Sequence, residues 1–188
     1  MVNRNREYSR RGLLGAFAAT SIMAAPTFPS AAGFIRNAGD IRRIKMYSTR
    51  TGEKLDIIYW IEGFYITDAL SEVNYFMRDW RQNKEKPIDT RTVDIIAASM
   101  RLLETETPFQ MLSGYRTSST NKLLRSRSRN VAKKSLHMLG QAVDLRMQGR
   151  SVRQIARAAA SCSAGGVGRY SRSNFVHVDC GIKRIWGS

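Results

Sequence analysis

Ser135-Leu136-His137-Met138-Leu139-Gly140-Gln141-Ala142-Val143-Asp144 holds one of only two histidines in the 188-residue chain. The other lies in Phe175-Val176-His177-Val178-Asp179. Residues 142–147 and 175–179 alternate as strands do. Along a strand, successive side chains point to opposite faces. Val143, Leu145 and Met147 therefore face one way, and Asp144 faces the other. Val176 and Val178 share one face, and His177 and Asp179 the opposite one. Each strand has an aliphatic side for a core and a polar side. Gly140 and Ala142 keep bulk out of the space between His137 and Asp144.

Two imidazoles and a carboxylate form a ligand set suited to catalytic zinc, with a fourth position left for water. Spacing alone leaves this open beside the blander alternative of unconnected surface histidines. Such a site also needs a proton-transferring group. Asp179 is the local candidate for general base, because it shares a face with His177. Its rival role is to orient a ligand histidine. His-Glu-x-x-His is absent, which excludes the helical metalloprotease arrangement.

Working outward, 44–49 and 54–60 read as strands around the turn Arg50-Thr51-Gly52-Glu53. Thr67 or Asp68 is expected to cap a helix carrying Leu70, Val73, Phe76 or Met77, and Trp80. Asp89 or Thr90 starts a second, with Val93, Ile96, Met100 and Leu103 on one face. Residues 109–112 form a strand leading into Ser113-Gly114-Tyr115-Arg116. Residues 117–134 are polar and basic, with a short helix around Leu123-Leu124. Ser151 caps a helix carrying Val152, Ile155, Ala156 and Ala159. Gly165-Gly166-Val167-Gly168 reads as a turn, and 183–186 as a final strand. Without regular βαβ alternation, the fold class is α+β. The expected form is a small, mainly antiparallel sheet with helices packed on one side and the zinc site on the sheet face.

Composition bounds the function. Hydrophobic residues make up 43% and charged residues 24%, a globular balance. Lys and Arg number 31 against 15 Asp and Glu, for a net +16. So basic a chain calls for an anionic partner: nucleic acid, acidic lipid or an anionic wall polymer. No recognisable nucleic-acid motif is present, which disfavours nucleic acid. Two cysteines build neither a disulfide scaffold nor a four-cysteine zinc site. Cys162 and Cys180 are either a pair or two free thiols. Lys122, Arg125, Arg127, Arg129, Lys133 and Lys134 crowd the segment before His137, as an attracting rim or a solvated loop.

Residues 1–32 read as an export signal rather than a domain. Arg4, Arg6, Arg10 and Arg11 precede an apolar run through Ala25, too short and interrupted for a permanent membrane span. Ser9-Arg10-Arg11-Gly12-Leu13-Leu14 resembles a twin-arginine signal, and Ser30-Ala31-Ala32 offers a cleavage site. The leader carries four Arg and one Glu, so the mature domain, 33–188, keeps +13. Export would place that domain in the periplasm.

Ser-x-His-x-x-Gly-x-Ala-x-Asp at 135–144 resembles the signature of zinc peptidases that include D-Ala-D-Ala carboxypeptidases and the hedgehog amino-terminal domain. Ser113-Gly114-Tyr115-Arg116-Thr117, Asn121 and Leu124 match their upstream segment. Gly165–Gly168, Phe175–Gly181 and Arg184-Ile185-Trp186 resemble the murein endopeptidase K branch. The resemblance covers about residues 108–187. It implies His137, Asp144 and His177 as zinc ligands and Arg116 as a substrate-positioning or oxyanion-stabilising residue. It implies peptidoglycan as substrate, with zinc-activated water hydrolysing stem cross-links; murein endopeptidase K itself cuts notably those between two diaminopimelate residues. Many relatives carry the catalytic acid three residues before the last ligand; here that residue is Asn174, which moves the expectation to Asp179. Cys180 stands where Thr is usual. Ser135 is expected to organise hydrogen bonds rather than attack. Two alternatives stand beside the endopeptidase: a D,D-carboxypeptidase releasing terminal D-Ala, and a non-catalytic basic wall-binding protein.

Overall fold

The computed structural model describes residues 40–187, so the expected export signal at 1–32 lies outside the described residues. Strands β1 (Ile41–Ser48) and β2 (Lys54–Ile61) pair antiparallel. Gly52 takes a left-handed φ of 75° in the connection, where glycine carries no Cβ penalty. The two-residue strand β3 (Phe64–Tyr65) turns back onto the end of β2.

Helix α1 (Thr67–Phe76) starts one residue earlier than a Thr67 cap would allow, with Ile66 at the N-cap and no side-chain cap. Trp80 lies beyond its end and is 39% exposed, so it does not extend the buried stripe. Helix α2 (Thr90–Leu102) begins as expected at Asp89, whose side chain accepts from the Arg91 amide. Strand β4 (Phe109–Ser113) follows. Helix α3 (Ser118–Arg127) is longer than its two leucines indicate; it buries Thr120 and Asn121 and leaves Leu123 exposed. A 3₁₀ turn (Leu136–Leu139) leads into β5 (Ala142–Arg146). Helix α4 (Val152–Ser161) carries a full capping box between Ser151 and Gln154.

The last three strands are β6 (Gly166–Tyr170), β7 (Phe175–Asp179) and β8 (Arg184–Gly187). The sheet runs β3-β2-β1-β4-β5-β7-β6-β8. The α+β class holds, but the expectation of a small, mainly antiparallel sheet is corrected. Among the described residues eight strands form one mixed sheet, with β1–β4 and β6–β8 parallel. The first parallel pair is made possible by the crossover through α1 and α2, since parallel neighbours cannot be joined by a tight turn.

The glycine run is also corrected: Gly166, Val167 and Gly168 lie in strand β6, with only Gly165 in the bend before it. None of Gly165, Gly166 and Gly168 has a left-handed φ. Their role is close approach: a Cβ on Gly166 would lie 2.6 Å from Asp179 Oδ2, and one on Gly168 2.5 Å from the Trp186 indole.

One hydrophobic core joins the aliphatic sheet face to three helices. Ile44, Met46, Phe109, Val143, Leu145, Val176 and Val178 meet Val73 of α1, Val93 and Ile96 of α2, and Ile155 of α4. Burying each such side chain is worth about 1.5–3 kcal/mol. Helix α3 adds no apolar residue to this core among the described residues. Cys162 and Cys180 are buried free thiols. Cys162 contacts Ser99 and Cys180 contacts Thr92. Those α2 positions are about two turns, or roughly 10 Å, apart, beyond the reach of a disulfide. No helix among the described residues is long and apolar enough to cross a membrane.

Candidate metal centre

The register of the sheet builds the site. Asp144 of β5 pairs directly with His177 of β7, on the face opposite the valines. The same row continues to Gly168 of β6 and Trp186 of β8. The neighbouring row runs Ala142, Asp179, Gly166, Arg184. In each row a glycine on β6 lets a β8 side chain lean over toward β7. Trp186 thus reaches His177, ring centres 5.5 Å apart, and Arg184 reaches Asp179.

His137 arrives from the 3₁₀ turn, which ends at Gly140 with φ 71°. A Cβ there would also collide with the Pro87 carbonyl, so glycine is required twice over. His137 Nδ1 lies 2.7 Å from the Gly114 carbonyl. A carbonyl only accepts, so Nδ1 carries the proton and Nε2 presents its lone pair to the site. His177 Nε2 lies 3.1 Å from Asp179 Oδ2, which likewise turns Nδ1 inward.

The three inward atoms form a small triangle. His177 Nδ1 is 2.9 Å from Asp144 Oδ1 and 3.2 Å from His137 Nε2; His137 Nε2 is 3.3 Å from the same carboxylate oxygen. Ligands of tetrahedral zinc at bond lengths near 2.0–2.1 Å stand about 3.3 Å apart. The donor set and its spacing therefore fit that ion. Both histidines have their second nitrogen held by an oxygen, as ligand histidines commonly do.

Charge in the metal-free site follows from these contacts. Burial works to raise Asp144, but His137 and His177 hold it well below the usual carboxylate range. Burial pushes His137 down. Burial also opposes charge on His177, but hydrogen bonds to Asp144 and Asp179 push it up to about 9. Asp144 and Asp179 thus both favour the protonated form of His177.

Asp179 is fully buried. Its oxygens accept from Arg184 at 2.7 and 3.1 Å, from the Gly166 amide at 3.2 Å and from the Gly181 amide at 2.9 Å, besides facing His177. Burial would raise its pKa, but His177, Arg184 and Gly181 bring it to about 2. The carboxylate expected as general base is thus enclosed behind a histidine with its lone pairs occupied. Asn174 adopts φ 52° in the β6–β7 turn and is absent from the cleft wall.

The triangle forms the floor of a cleft of about 310 Å³. Arg116, Lys134, Ser135, Tyr170 and Trp186 are among its walls. Arg116 is 9% exposed and donates to Ser135 Oγ at 3.2 Å. It makes no ion pair among the described residues, and its Nε is buried without a partner. Ser135 is a hydrogen-bond partner of Arg116, in line with an organising role. Sequence reasoning did not assign roles to Arg184, Trp186 or Gly114. The available signal was the i, i+2 spacing shared by Gly166/Gly168 and Arg184/Trp186.

The family model for peptidoglycan L,D-endopeptidase MepK matches residues 36–186. The chain belongs to the MepK family. It is 45% identical over 145 residues to the peptidoglycan L,D-endopeptidase MepK of Escherichia coli K12, covering 77% of this chain and 80% of that protein. It is 34% identical over 148 residues to the probable peptidoglycan L,D-endopeptidase MepK of Haemophilus influenzae, covering 77% and 78%. A crystal structure of the L-Ala D-Glu endopeptidase ChiX of Serratia marcescens aligns with TM-score 0.35 at 20% identity, covering 50% of this chain and 68% of that one. That overlap is too slight to carry a conclusion. The span matched by the MepK family includes every residue of the triangle and of its supporting row.

Proposed function

We propose that this chain is a zinc-dependent peptidoglycan endopeptidase that cuts cross-linked stem peptides at an L,D bond, as the names of its relatives indicate. The observation that carries the reading is the triangle of His137 Nε2, Asp144 Oδ1 and His177 Nδ1, with sides of 2.9–3.3 Å, on the floor of an open cleft. A zinc ion held by these atoms supplies Lewis acidity and brings the ionisation of water into the neutral range.

The chain's own residues do the rest. Gly114 and Asp179 fix the two imidazole orientations. Arg116, buried and without a carboxylate partner, offers its donor fork to the carbonyl oxygen on which charge develops. Ser135 holds that guanidinium in place. The enclosure of Asp179 supports its orienting role over the general-base role. Trp186, with its ring centre 5.5 Å from that of His177, walls one side of the floor.

We place this activity outside the cytoplasm. The basic, then apolar, then small-residue order of residues 1–32 supports export by the twin-arginine route and a periplasmic mature domain.

The test is metal analysis of the purified chain, followed by digestion of cross-linked muropeptides read by mass spectrometry. About one zinc per chain and chelator-sensitive conversion of dimers to monomers are expected. Release of terminal D-Ala alone would select a carboxypeptidase instead. His177→Ala should lose both zinc and turnover; stoichiometric zinc in that variant would break the ligand assignment.

A further inference from the structure

The net charge is unevenly distributed. Residues 1–106 carry 16 Lys and Arg against 13 Asp and Glu; residues 107–188 carry 15 against two. The two are Asp144 and Asp179, both inside the metal centre. From 107 to 143 there is no carboxylate at all, but Arg116, Lys122, Arg125, Arg127, Arg129, Lys133 and Lys134. Except for Arg116 these are exposed, and none of the seven forms an ion pair among the described residues.

The fold gathers this charge beside the cleft. Asp79 accepts from the Thr117 amide and hydroxyl at 2.9 and 2.8 Å, pinning the segment after α1 to the start of α3. That brings Arg81, stacked on Trp80 at 4.3 Å, into the field of Arg127 and Arg50, and within the field of Arg116. At the other end, Asn121 Nδ2 donates to the Ala132 carbonyl at 3.1 Å, drawing the basic loop back against α3. Lys134 then returns the run to the cleft wall. The cations thus lie along one segment, 116–134, whose two ends meet the cleft. Asp79 offers counter-charge to Arg81 and Arg116, but residues 117–134 hold no carboxylate of their own, and like charge concentrated in this way costs stability through self-repulsion. An anionic partner offsets that cost.

We propose that the exposed cations of α3 and of the residues just after it, Lys122, Arg125, Arg127 and Arg129, form a second docking surface that holds carboxylates of polymeric peptidoglycan outside the cleavage cleft. This rests on the endopeptidase reading for the identity of the polymer. Stem peptides bear free carboxylates at a repeat, and a patch of exposed cations suits a repeated, loosely positioned anion. Its effect is to keep the enzyme on the wall between cuts, and it falls off with ionic strength as exposed charges are screened.

The experiment compares the full chain with a fourfold variant, Lys122→Gln, Arg125→Gln, Arg127→Gln and Arg129→Gln. Binding to insoluble sacculi is read by co-sedimentation at low and high salt, and turnover is read separately on soluble dimeric muropeptides. The variant should lose about tenfold or more in sacculus binding and most of its salt dependence, with soluble turnover within about twofold. Sacculi whose carboxylates have been chemically amidated should release the wild-type chain to the same extent. Undiminished sacculus binding by the variant, or equal wild-type binding to amidated sacculi, would overturn the proposal. So would stronger binding to anionic phospholipid vesicles than to sacculi of equal charge, which would make the face a membrane contact. If the fourfold variant fails to fold, by circular dichroism, Arg125→Glu alone is measured in the same way, with the same outcomes deciding. Absence of soluble turnover in the wild-type chain would instead count against the endopeptidase reading and leave the sedimentation result to judge the face.

Discussion

Arg184 closes both terminal guanidinium nitrogens on the Asp179 carboxylate, at 2.7 and 3.1 Å, by passing over Gly166. Asp179 in turn faces His177 Nε2 at 3.1 Å. A half-exposed arginine at the sheet edge therefore reaches the candidate metal ligand His177 through one buried carboxylate. Ligand orientation by such outer contacts commonly governs metal affinity.

Arg184→Ala should accordingly weaken zinc binding by about 10–100-fold without touching a ligand. Activity should fall at limiting zinc and recover when zinc is supplied in excess. Arg184→Lys should recover part of the affinity, because one charged donor replaces a two-pronged one. Chelator competition gives the dissociation constants. Unchanged zinc affinity in Arg184→Ala would show that the ion pair only fastens β8.

Asp179→Asn separates its two candidate roles. As an orienting residue, its loss should cost about 10–100-fold in zinc affinity, with much of the turnover restored at saturating zinc. As a general base, its loss should leave zinc bound and remove turnover at every zinc concentration. The enclosure of the carboxylate favours the first pattern. Zinc titration of activity, with kcat read at the plateau, distinguishes them.

The facing of Asp144 and His177 was legible because both alternate with valines that declare the other face, whereas grouping them with His137 rested on the family resemblance. The helix starts at Asp89 and Ser151 were legible because capping is local chemistry. What escaped the sequence depends on distant partners. The glycines of β6 look like turn residues until Trp186 and Arg184 are seen lying against them. The parallel β1–β4 pair depends on two helices intervening, which no local pattern reports. Asp179 sits at a spacing that suits a base; only the convergence of Arg184, Gly166 and Gly181 shows its lone pairs engaged.

Gly166→Ala tests the close approach directly. Its Cβ would meet Arg184 Nη1 at 2.5 Å and Asp179 Oδ2 at 2.6 Å. Asp179 is buried and cannot yield, so Arg184 must be displaced. Overpacking of this kind costs about 1–3 kcal/mol. Urea denaturation should show a lower midpoint at unchanged m-value, and zinc affinity should drop as in Arg184→Ala. A midpoint equal to wild type would mean that β8 shifts freely, contradicting the tight row.

Zinc uptake should be linked to protons, with a sign set by His177. In the metal-free protein its pKa stands at about 9, above the ordinary histidine value of about 6.5. The charged ring therefore stabilises the metal-free fold fully below about pH 6.5, and that contribution is lost as pH rises through about 9. A ligand histidine must be neutral, so zinc has to displace this proton. At pH 7.5 about one proton should be released per zinc bound, and affinity should rise about tenfold per pH unit up to about pH 9. Calorimetry in two buffers of different ionisation enthalpy counts the protons. Zinc binding without proton release between pH 6.5 and 8.5 would mean that His177 is already neutral, and that Asp144 and Asp179 do not hold it charged.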